Sequence, residues 1–372
     1  MASIAHNVEH VLDRMVSFYS QRLRQVDVQK YFLLGKELGK GGYGRVILAN
    51  DKKTGQRMAL KFIDKSRNSQ ESYLREFSIA SLLSSHPNII GCFEVFFKTT
   101  FNLVFAQELA PVGDLFSLII PHVGIPEDAV KRCAVQISNA LEFIAEKGLV
   151  HMDLKPENIL VFDKECHFIK ITDFGFAKVR GTVIRSMCGS KYYMAPEMCA
   201  MTISGGLVVD GSIDVWAFGV IIYCLLTGKS PWRLASLDDD GYKRFVEWQN
   251  NVKMNNPPEA WRKIPTKIQR MFNGLLAIDY SKRSPSTKVL KYIRGSWKEE
   301  PVDSAKRKEG EDPIEMNSSE QSEDSLASHL STSQSSSVSI TSTLNSMSSS
   351  LLTRNTSGSQ SKISPEAEVD IG

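Results

Sequence analysis

The stretch LVHMDLKPENIL, Leu149 to Leu160, brings three chemically different side chains together in one short segment. Asp153 supplies a carboxylate, Lys155 an ammonium group and Asn158 an amide oxygen, and apolar residues flank the polar run. A positioned carboxylate can accept a proton, and amide and carboxylate oxygens are suitable ligands for a divalent cation. The spacing D-x-x-x-x-N therefore indicates a catalytic loop that needs partner motifs elsewhere in the chain.

A second acidic residue follows in KITDFGFAK, where Asp173 opens a D-F-G triplet. Phosphoryl transfer needs little covalent help from protein, because the nucleophile has only to be aligned and the charge of the transferring group neutralised. In that chemistry Asp153 would accept or orient the hydroxyl proton, and Lys155 would lie near the γ-phosphate. Asn158 and Asp173 would ligate Mg²⁺. The two motifs in this order predict a phosphoryl-transfer site.

Three glycines, Gly39, Gly41 and Gly44, recur at G-x-G-x-x-G spacing in LGKGGYGRV. Glycine lets the backbone approach a polyphosphate and point its N–H groups at oxygens, since no Cβ intervenes. Glycine turns are common, so the motif alone is weak evidence. A dinucleotide-binding fingerprint would continue into a helix, whereas these glycines are followed by the extended run GRVILA. The context favours a glycine-rich flap over a nucleotide.

The next extended run carries MALK, Met58 to Lys61, which resembles the V-A-I-K strand whose lysine contacts the α- and β-phosphates. A lysine on a strand is usually only solvated, but its position after a glycine-rich loop reverses that expectation. An acidic residue on a neighbouring helix would hold the ammonium group in place. We assign this role to Glu76 in YLREFSIASLL rather than to Glu71, because Glu76 lies deeper in the apolar pattern.

Hydrophobic periodicity divides the chain into two unequal parts. Short extended runs joined by turns fill the first part, with one helical stretch, SYLREFSIASLLSS, among them. From Asp114 onward the pattern is mostly helical, as in EDAVKRCAVQISNALEFIAEKG, SIDVWAFGVIIYCLLTG and TKIQRMFNGLLA. The predicted fold class is α+β, with a small antiparallel β-rich lobe, a larger α-helical lobe and a short connection near Gln107 to Pro111.

With these motifs in sequence order, residues of about 32–297 resemble a eukaryotic protein kinase domain. The resemblance implies a bilobal fold, with an N-lobe of about 32–107 and a C-lobe of about 108–297. It extends to the MAPE motif, Met194 to Glu197. ATP and Mg²⁺ are the cofactors that the resemblance implies.

Further residues are assigned through the same resemblance. In the family, the counterparts of Glu197 and Arg283 form a buried ion pair, and the counterpart of Asp214 anchors the backbone of the catalytic loop. Lys155 and Ser190 resemble the serine/threonine class. The implied activity is transfer of the γ-phosphate of Mg-ATP to Ser/Thr hydroxyls of protein substrates.

An adenine pocket is also implied by the resemblance. The gatekeeper would be Gln107, the hinge that hydrogen-bonds adenine through its backbone would be Glu108 to Ala110, and Asp114 would face the ribose. The side chains that would sandwich the adenine ring are Leu38, Val46 and Ala59. Apolar residues at such positions also form ordinary protein core, so these assignments rest on the alignment alone.

Three longer stretches, FAQELAPVGDLFSLI, VGIPEDAVKRC and GLVVDGSIDVWAFGVIIYCLLTGKSPW, resemble the SBK, or SH3-binding-domain, serine/threonine kinases. The family name implies a proline-rich ligand for an SH3 domain. The C-terminal part of this chain has no PxxP motif, and its prolines are Pro301, Pro313 and Pro365. The sequence therefore gives no support for an SH3-domain partner.

Met152 departs from the kinase pattern, which usually has an arginine before the catalytic aspartate. That arginine pairs with a phosphate on the activation segment and holds the segment open. A methionine has no charge, so we hypothesise that activity does not strictly require phosphorylation of Thr182 or Ser186. The alternative is a tolerated substitution, with Lys178 or Arg185 receiving the phosphate instead.

A non-catalytic scaffold with a kinase fold is the second class of function to consider. Degraded kinases typically lose the strand lysine, the catalytic aspartate or the metal-binding aspartate. This chain keeps Lys61, Asp153, Asn158 and Asp173, which favours an active enzyme.

The two ends of the chain differ from the central region. Residues 1–31 show apolar side chains at helical spacing, which predicts an amphipathic helical extension that packs on its own domain or binds a partner or membrane surface. Residues 298–372 are rich in serine and acidic groups and poor in aromatic ones, so this tail is predicted to be disordered.

Composition bears on three questions: nucleic-acid binding, membrane spanning and cellular compartment. The chain has a formal net charge of +3, and its basic residues form no run interleaved with aromatic ones, so no nucleic-acid partner is expected. No apolar stretch is long enough for a membrane span. Six cysteines without metal-ligand spacing fit a reducing compartment, and a cytoplasmic protein is expected.

Overall fold

A computed structural model describes residues 2–298, apart from residues 43, 202–204 and 252–255; of residues 2–5 it describes the backbone alone. The predicted tail therefore lies outside the described residues from 299 onward. Within the described part, no helix is both long and apolar enough to cross a membrane.

The described residues between 2 and 107 form a five-stranded antiparallel sheet in the order β1-β2-β3-β5-β4, with helices beside it. The elements of this region are α1 (Ala2–Arg22), α2 (Val28–Tyr31), β1 (Phe32–Gly41), β2 (Gly44–Asp51), β3 (Arg57–Asp64), α3 (Gln70–Leu83), β4 (Cys92–Lys98) and β5 (Asn102–Gln107). One face of the sheet is closed by buried Phe32, Leu60, Phe97 and Val104. This small lobe contributes Lys61 of β3 and Glu76 of α3 to the site described below.

Helix α3 packs on the other face of the same sheet. Ser69 caps its start, because the Ser69 Oγ accepts a hydrogen bond of 3.0 Å from the backbone N–H of Ser72. Buried Phe77 and Tyr73 anchor the helix, and the Tyr73 hydroxyl donates a 2.6 Å hydrogen bond to the carbonyl of Val104 in β5. These contacts fix the rotation of α3 and thereby the direction in which Glu76 points.

The described residues from 113 to 298 are mainly helical. The elements of this region are β6 (Gly113–Asp114), α4 (Glu127–Glu146), β7 (Leu149–Val150), β8 (Ile159–Val161), β9 (Ile169–Ile171), β10 (Lys178–Val179), β11 (Val183–Ile184), α5 (Pro196–Cys199), β12 (Leu207–Val208), α6 (Ser212–Thr227), α7 (Asp240–Asn250) and α8 (Thr266–Leu275). Short strands pair as β6-β8-β9, β10-β7 and β11-β12. The loop after β9 reaches the sheet of the small lobe, where Asp173 contacts Lys61 of β3.

Helix α6 is the centre of this larger lobe. It is apolar on all sides and almost entirely buried, as expected for a helix that is surrounded by others. Gly228 ends it in a left-handed conformation, with φ of 66°, and its N–H donates to the carbonyl of Cys224 at 2.8 Å. Any Cβ at Gly228 would lie only 2.3 Å from the carbonyl oxygen of Ile120, so glycine is required there.

The predicted α+β class with a β-rich and an α-helical lobe is confirmed, and two local predictions differ from the structure. The N-terminal helix ends at Arg22, because the residues after it turn to hydrogen-bond the edge of β4: Lys98 donates to the carbonyl of Arg24 at 2.9 Å, and Val26 donates to the carbonyl of Lys98 at 2.8 Å. The glycine-rich segment is more regular than a loop, since Gly39 and Gly41 lie within β1.

Candidate active site

Lys61 lies between two carboxylates that come from distant parts of the sequence. Its Nζ donates a 2.6 Å hydrogen bond to Oε1 of Glu76 on α3 and a 2.9 Å hydrogen bond to Oδ1 of Asp173 after β9. Glu71, the rival for the first contact, is exposed in the first turn of α3. An ammonium group carries three N–H donors, so one remains for another acceptor such as a phosphate oxygen.

The charges of this trio shift one another's pKa values. Burial on its own would lower the pKa of Lys61, but the carboxylates of Asp173 and Glu76 outweigh it and raise that pKa above its ordinary value. The neighbouring Lys61 lowers the pKa of Asp173 to about 2. Burial raises the pKa of Glu76, although Lys61 opposes the rise. Lys61 is therefore charged at neutral pH and Asp173 is ionised.

The D-F-G triplet is shaped so that Asp173 faces Lys61 while its neighbour points into the core. Asp173 has a left-handed backbone, with φ of 66°, and Phe174 is buried against the His151 ring at a centroid distance of 5.2 Å. Gly175 leaves room for Glu76, because a Cβ there would lie 3.3 Å from Oε2 of Glu76. The triplet thus connects the small lobe's helix to the larger lobe.

Buried Asp214 at the start of α6 anchors the catalytic loop. Its carboxylate accepts backbone hydrogen bonds from His151 at 2.7 Å and from Met152 at 3.0 Å. Met152 has φ of 69°, a conformation that costs an L-residue roughly 1–2 kcal/mol, and the paired hydrogen bonds hold it there. The anchoring contact implied by the kinase resemblance is present.

His151 supports the loop from the opposite side. Its Nε2 lies 3.0 Å from the carbonyl oxygen of Thr172, and because a carbonyl only accepts, Nε2 carries the proton. The other ring nitrogen, Nδ1, then accepts from the backbone N–H of Asp153 at 3.3 Å. The His151 ring thereby connects Thr172, the residue before Asp173, to the backbone of Asp153.

The carboxylate of Asp153 is held by three side chains. Lys155 donates to Oδ2 at 2.9 Å, Ser190 donates to Oδ1 at 2.8 Å, and the Asn158 amide approaches Oδ2 at 3.3 Å. Lys155 also donates to the Ser190 hydroxyl at 2.9 Å. Asp153 is only 5% exposed, so these contacts fix the direction of its carboxylate. A hydroxyl group is accommodated directly against the carboxylate, as a general base requires.

Asn158 and Asp173 retain oxygen atoms with the chemistry of metal ligands. The Asn158 amide nitrogen donates to the backbone carbonyl of Asp153 at 2.8 Å, which leaves Oδ1 as an acceptor. Oδ1 of Asp173 contacts Lys61, which leaves Oδ2. Carboxylate and amide oxygens are ligands that Mg²⁺ accepts. These two residues fit a divalent cation that is shared with a phosphate.

The glycines of the G-x-G-x-x-G motif differ in how much space the surrounding protein leaves for a side chain. A Cβ at Gly44 would lie 1.9 Å from the carbonyl oxygen of Phe62 in β3, so close strand packing requires that glycine. Cβ atoms at Gly39 and Gly41 would meet no described atom within 4 Å. Protein packing does not explain these two glycines, and the open space beside their backbone fits a polyphosphate.

The residues predicted to surround an adenine ring differ in their burial. Gln107 and Ala59 are buried and paired across β3 and β5, while Val46 is half-buried and Leu38 is exposed. Glu108 is engaged elsewhere, since its carboxylate accepts from the Gly91 N–H at 2.9 Å and pairs with Lys170.

Two backbone groups of the predicted hinge, Glu108 to Ala110, have no backbone hydrogen-bond partner among the described residues. The backbone N–H of Glu108 donates to the carbonyl of Gly91 at 2.9 Å, but its own carbonyl has no backbone partner among the described residues. The Ala110 N–H likewise has none within the described part of the chain. A carbonyl and an N–H from these two residues fit the edge of a purine base.

Met152 lies in an apolar cluster beneath the activation segment, residues 173–197, and is only 4% exposed. The buried members of the cluster are Val150, Met152, Ile184, Met194, Met198, Val209 and Ile213. A Cβ at Gly189 would lie 2.7 Å from the carbonyl oxygen of Met152, so the segment packs directly on the loop. Dispersion and burial therefore hold the segment against the loop at the position where the kinase pattern has an arginine.

Backbone pairing holds the same segment from the side. Val183 and Ile184 in β11 pair with Val208 and Leu207 in β12. Val209 extends the pairing by donating to the carbonyl of Thr182 at 2.8 Å and accepting from the Gly181 N–H at 2.8 Å.

The end of the segment is attached by the predicted ion pair. Arg283 donates to Oε1 of Glu197 at 2.7 Å and to Oε2 at 3.0 Å, and its side chain is fully buried. It also donates to the carbonyls of Ser212 and Ala277 at 2.8 and 3.1 Å. A bidentate pair with further hydrogen bonds is the form in which a buried charge is tolerated.

Sequence reasoning missed two features of this site. The direct contact between Lys61 and Asp173 could not be predicted, because nothing in either motif reports the distance between them. Ser190 was read only as a marker of the serine/threonine class, although it contacts both Asp153 and Lys155. Its position just before the MAPE motif was the available signal.

A two-lobed α+β fold with a lysine–glutamate pair in one lobe and a D-x-x-x-x-N loop with a D-F-G triplet in the other is that of a protein kinase. The protein kinase domain family matches residues 32–293. Serine/threonine-protein kinase SBK1 of Mus musculus is 46% identical over 268 residues, which cover 72% of this chain and 64% of the mouse protein.

Two further relatives match over a larger share of their own length. SBK1 of Danio rerio is 43% identical over 287 residues, covering 77% of this chain and 74% of the fish protein. SBK2 of Rattus norvegicus is 36% identical over 290 residues, covering 77% of this chain and 80% of the rat protein. The chain belongs to the protein serine/threonine kinases and, among them, to the SBK-like family.

Proposed function

We propose that this chain is an active kinase that transfers the γ-phosphate of Mg-ATP to Ser/Thr hydroxyls of protein substrates. The observation that carries the proposal is that Lys61 and Glu76 of the small lobe meet Asp173 of the larger lobe, which also holds the Asp153 carboxylate in a fixed direction. A scaffold that had lost catalysis would have no need to keep these contacts together.

Each group has a defined task under this proposal. Lys61, held by Glu76, would donate to the phosphates, and the backbone around Gly39 and Gly41 would approach them closely. Asn158 and Asp173 would hold Mg²⁺, which neutralises phosphate charge when bound.

The catalytic loop would supply the remaining groups. Asp153 would orient the substrate hydroxyl and accept its proton, with Lys155 near the γ-phosphate. Ser190 donates to Asp153 and accepts from Lys155, so it would fix the position of the Asp153 carboxylate relative to the Lys155 ammonium group. Leu38, Val46 and Ala59 would pack against the faces of the purine. The Glu108 carbonyl and the Ala110 N–H would form hydrogen bonds with the edge of the purine.

Activity without activation-segment phosphorylation is part of the proposal. It is supported by the burial of Met152 among Ile184, Met194 and Val209 and by the pairing of β11 with β12. Both interactions position the segment without a phosphate. Ser186 is exposed and Thr182 half-buried, so modification of either would add to an existing arrangement.

We also propose a cytoplasmic location and a Ser/Thr-containing protein as substrate. The location is supported by the six free cysteines. A preference for basic substrates would follow from Glu157, which is exposed in the turn just before Asn158.

The test is transfer of labelled γ-phosphate from Mg-ATP to a degenerate Ser/Thr peptide array that varies basic and acidic flanking positions. Wild type is compared with Asp153→Asn and with Asp128→Asn, which changes an exposed aspartate on α4. We expect transfer by wild type and Asp128→Asn and loss with Asp153→Asn. Nucleotide binding without transfer by the wild type would instead identify a scaffold.

A further inference from the structure

Helix α1 precedes the region that matches the kinase family, yet its apolar face is buried in the small lobe. Leu12 is completely buried, and Tyr19 is 7% exposed. The Tyr19 ring meets Phe77 of α3 edge-on at a centroid distance of 4.8 Å and Phe96 of β4 at 5.1 Å. These are the distances of favourable aromatic pairs, so α1 is bound firmly to α3.

The contacts of α1 fall on the residues next to Glu76. Arg75, immediately before it, donates to both carboxylate oxygens of Glu9 at 2.7 and 2.8 Å. Phe77, immediately after it, is the partner of Tyr19. Because Glu76 contacts Lys61 only when α3 has the correct rotation and depth, groups that hold residues 75 and 77 also set the distance from Glu76 to Lys61.

Helix α1 also reaches the other lobe. It lies against β10, the short strand that follows the D-F-G triplet, and Leu12 belongs to the same core cluster as Ile79 and Leu83 of α3 and Val179 of β10. Just after α1, the backbone of residues 24–26 is hydrogen-bonded to Lys98 of β4. A helix that touches both α3 and β10 constrains the element that carries Glu76 and the element that follows Asp173.

We propose that α1 is a built-in positioning element that keeps Glu76 and Asp173 against Lys61, and that Leu12 and Tyr19 are its positioning residues. The inference rests on the proposed kinase function. Loss of the α1 contacts lets α3 move away from Lys61, so the population that can bind nucleotide productively falls. Apparent nucleotide affinity falls by the same fraction.

Tyr19→Ala and Leu12→Ala in the full-length chain test this role. The readouts are the Kd for a fluorescent ATP analogue with Mg²⁺, the melting temperature, and amide hydrogen exchange in α3 and β10. The control for lost stability is Leu275→Ala, which removes an equally buried side chain from α8 in the larger lobe. His10→Ala changes an exposed residue of α1 itself.

We expect Tyr19→Ala and Leu12→Ala to raise the Kd by about tenfold and to speed exchange in α3 and β10. Leu275→Ala should lower the melting temperature without this change in Kd, and His10→Ala should resemble the wild type. The proposal is overturned if Leu275→Ala shifts the Kd as much as Tyr19→Ala does, or if neither α1 variant changes the Kd.

A charge reversal covers the case in which the core variants do not fold. Glu9 and Arg75 have side chains that are 43% and 25% exposed, so Glu9→Arg and Arg75→Glu leave the core intact. Each should raise the Kd by about threefold, as expected for a partly exposed pair, and the double variant should restore it. Two single variants with the wild-type Kd would overturn the role of this contact.

The outcomes separate this inference from the proposed function. Kd and hydrogen exchange are measured without phosphate transfer. A wild type that binds nucleotide and transfers nothing would refute the kinase activity and leave the role of α1 measurable. A wild type that transfers phosphate, with α1 variants of unchanged Kd, would refute the role of α1 alone.

Discussion

The Nζ of Lys61 lies 2.6 Å from Oε1 of Glu76, across the gap between a sheet strand and a packed helix. Both side chains are largely buried, at 15% and 10% exposure. A buried pair of this kind is strongly destabilised when one partner is removed, because the other charge is left uncompensated. The pair therefore reports directly on the position of α3.

Replacing Lys61 with methionine is expected to weaken nucleotide binding strongly. The change leaves Glu76 and Asp173 close together without their shared cation, and the phosphates lose a donor. We expect the Kd for Mg-ATP to rise about a hundredfold, the range for truncation of a buried, hydrogen-bonded charge pair. Calorimetric titration measures it, with Lys53→Met at an exposed position as control. An unchanged Kd in Lys61→Met would contradict the assignment.

Asp173 gives the folded protein a defined pH dependence. Its pKa is lowered from 3.8 to about 2, mainly by Lys61, so the carboxylate stabilises the fold above pH 3.8. That contribution is lost as the pH falls toward about 2, because the unfolded chain takes up the proton first. Denaturant unfolding of wild type and Asp173→Asn from pH 6 down to pH 3 measures it. The free energy of unfolding should be higher for the wild type than for Asp173→Asn by a constant amount near pH 6, and this difference should shrink below pH 3.8. A difference that does not depend on pH would refute the prediction.

The apolar cluster under the activation segment is tested by truncating Met152. Met152→Ala removes a buried side chain from packing with Ile184 and Met194, and we expect a loss of about 2–4 kcal/mol in the free energy of unfolding. Turnover should fall as well, because the segment loses its support. The matched control is Met187→Ala in the same segment, where the methionine is 57% exposed. Equal effects of the two variants would show that the cluster does not position the segment.

Activation-segment phosphorylation is tested by removing the acceptors. Thr182→Ala, Ser186→Ala and the double variant should each keep turnover close to that of wild type, and phosphatase treatment of the wild type should change little. The physical reason is that apolar packing and the β11-β12 pairing already hold the segment. Loss of activity in Ser186→Ala, with a wild type that needs phosphate at that position, would favour Lys178 or Arg185 as phosphate ligands.

The motifs identified most of the residues that the structure brings into contact here, because each motif carries its chemistry within a few residues. The apolar pattern alone favours Glu76 over Glu71 as the partner of Lys61. The apolar residues of that pattern are the ones that pack α3 against the sheet. Hydrophobic periodicity predicted a two-lobed α+β fold, and the order of glycines, lysine, catalytic loop and D-F-G triplet implied the same fold through the kinase resemblance.

Features that depend on distant packing were not predictable in the same way. Met152 was recognised as an uncharged residue, but the sequence does not reveal that Ile184 and Val209 surround it, since these contacts depend on how β11 meets β12. The apolar face of α1 predicted a helix that packs on its own domain or binds a partner. Its contacts on both sides of Glu76 required the three-dimensional arrangement.

The central claim is that Asp153 acts as the base in phosphate transfer while Lys61, Asn158 and Asp173 hold Mg-ATP. The most direct measurement is turnover and the Kd for Mg-ATP on the same preparations of wild type and Asp153→Asn, with Asp128→Asn as control. We predict an unchanged Kd and a turnover number lower by about 10³-fold in Asp153→Asn alone. Equal turnover in wild type and Asp153→Asn would contradict the account.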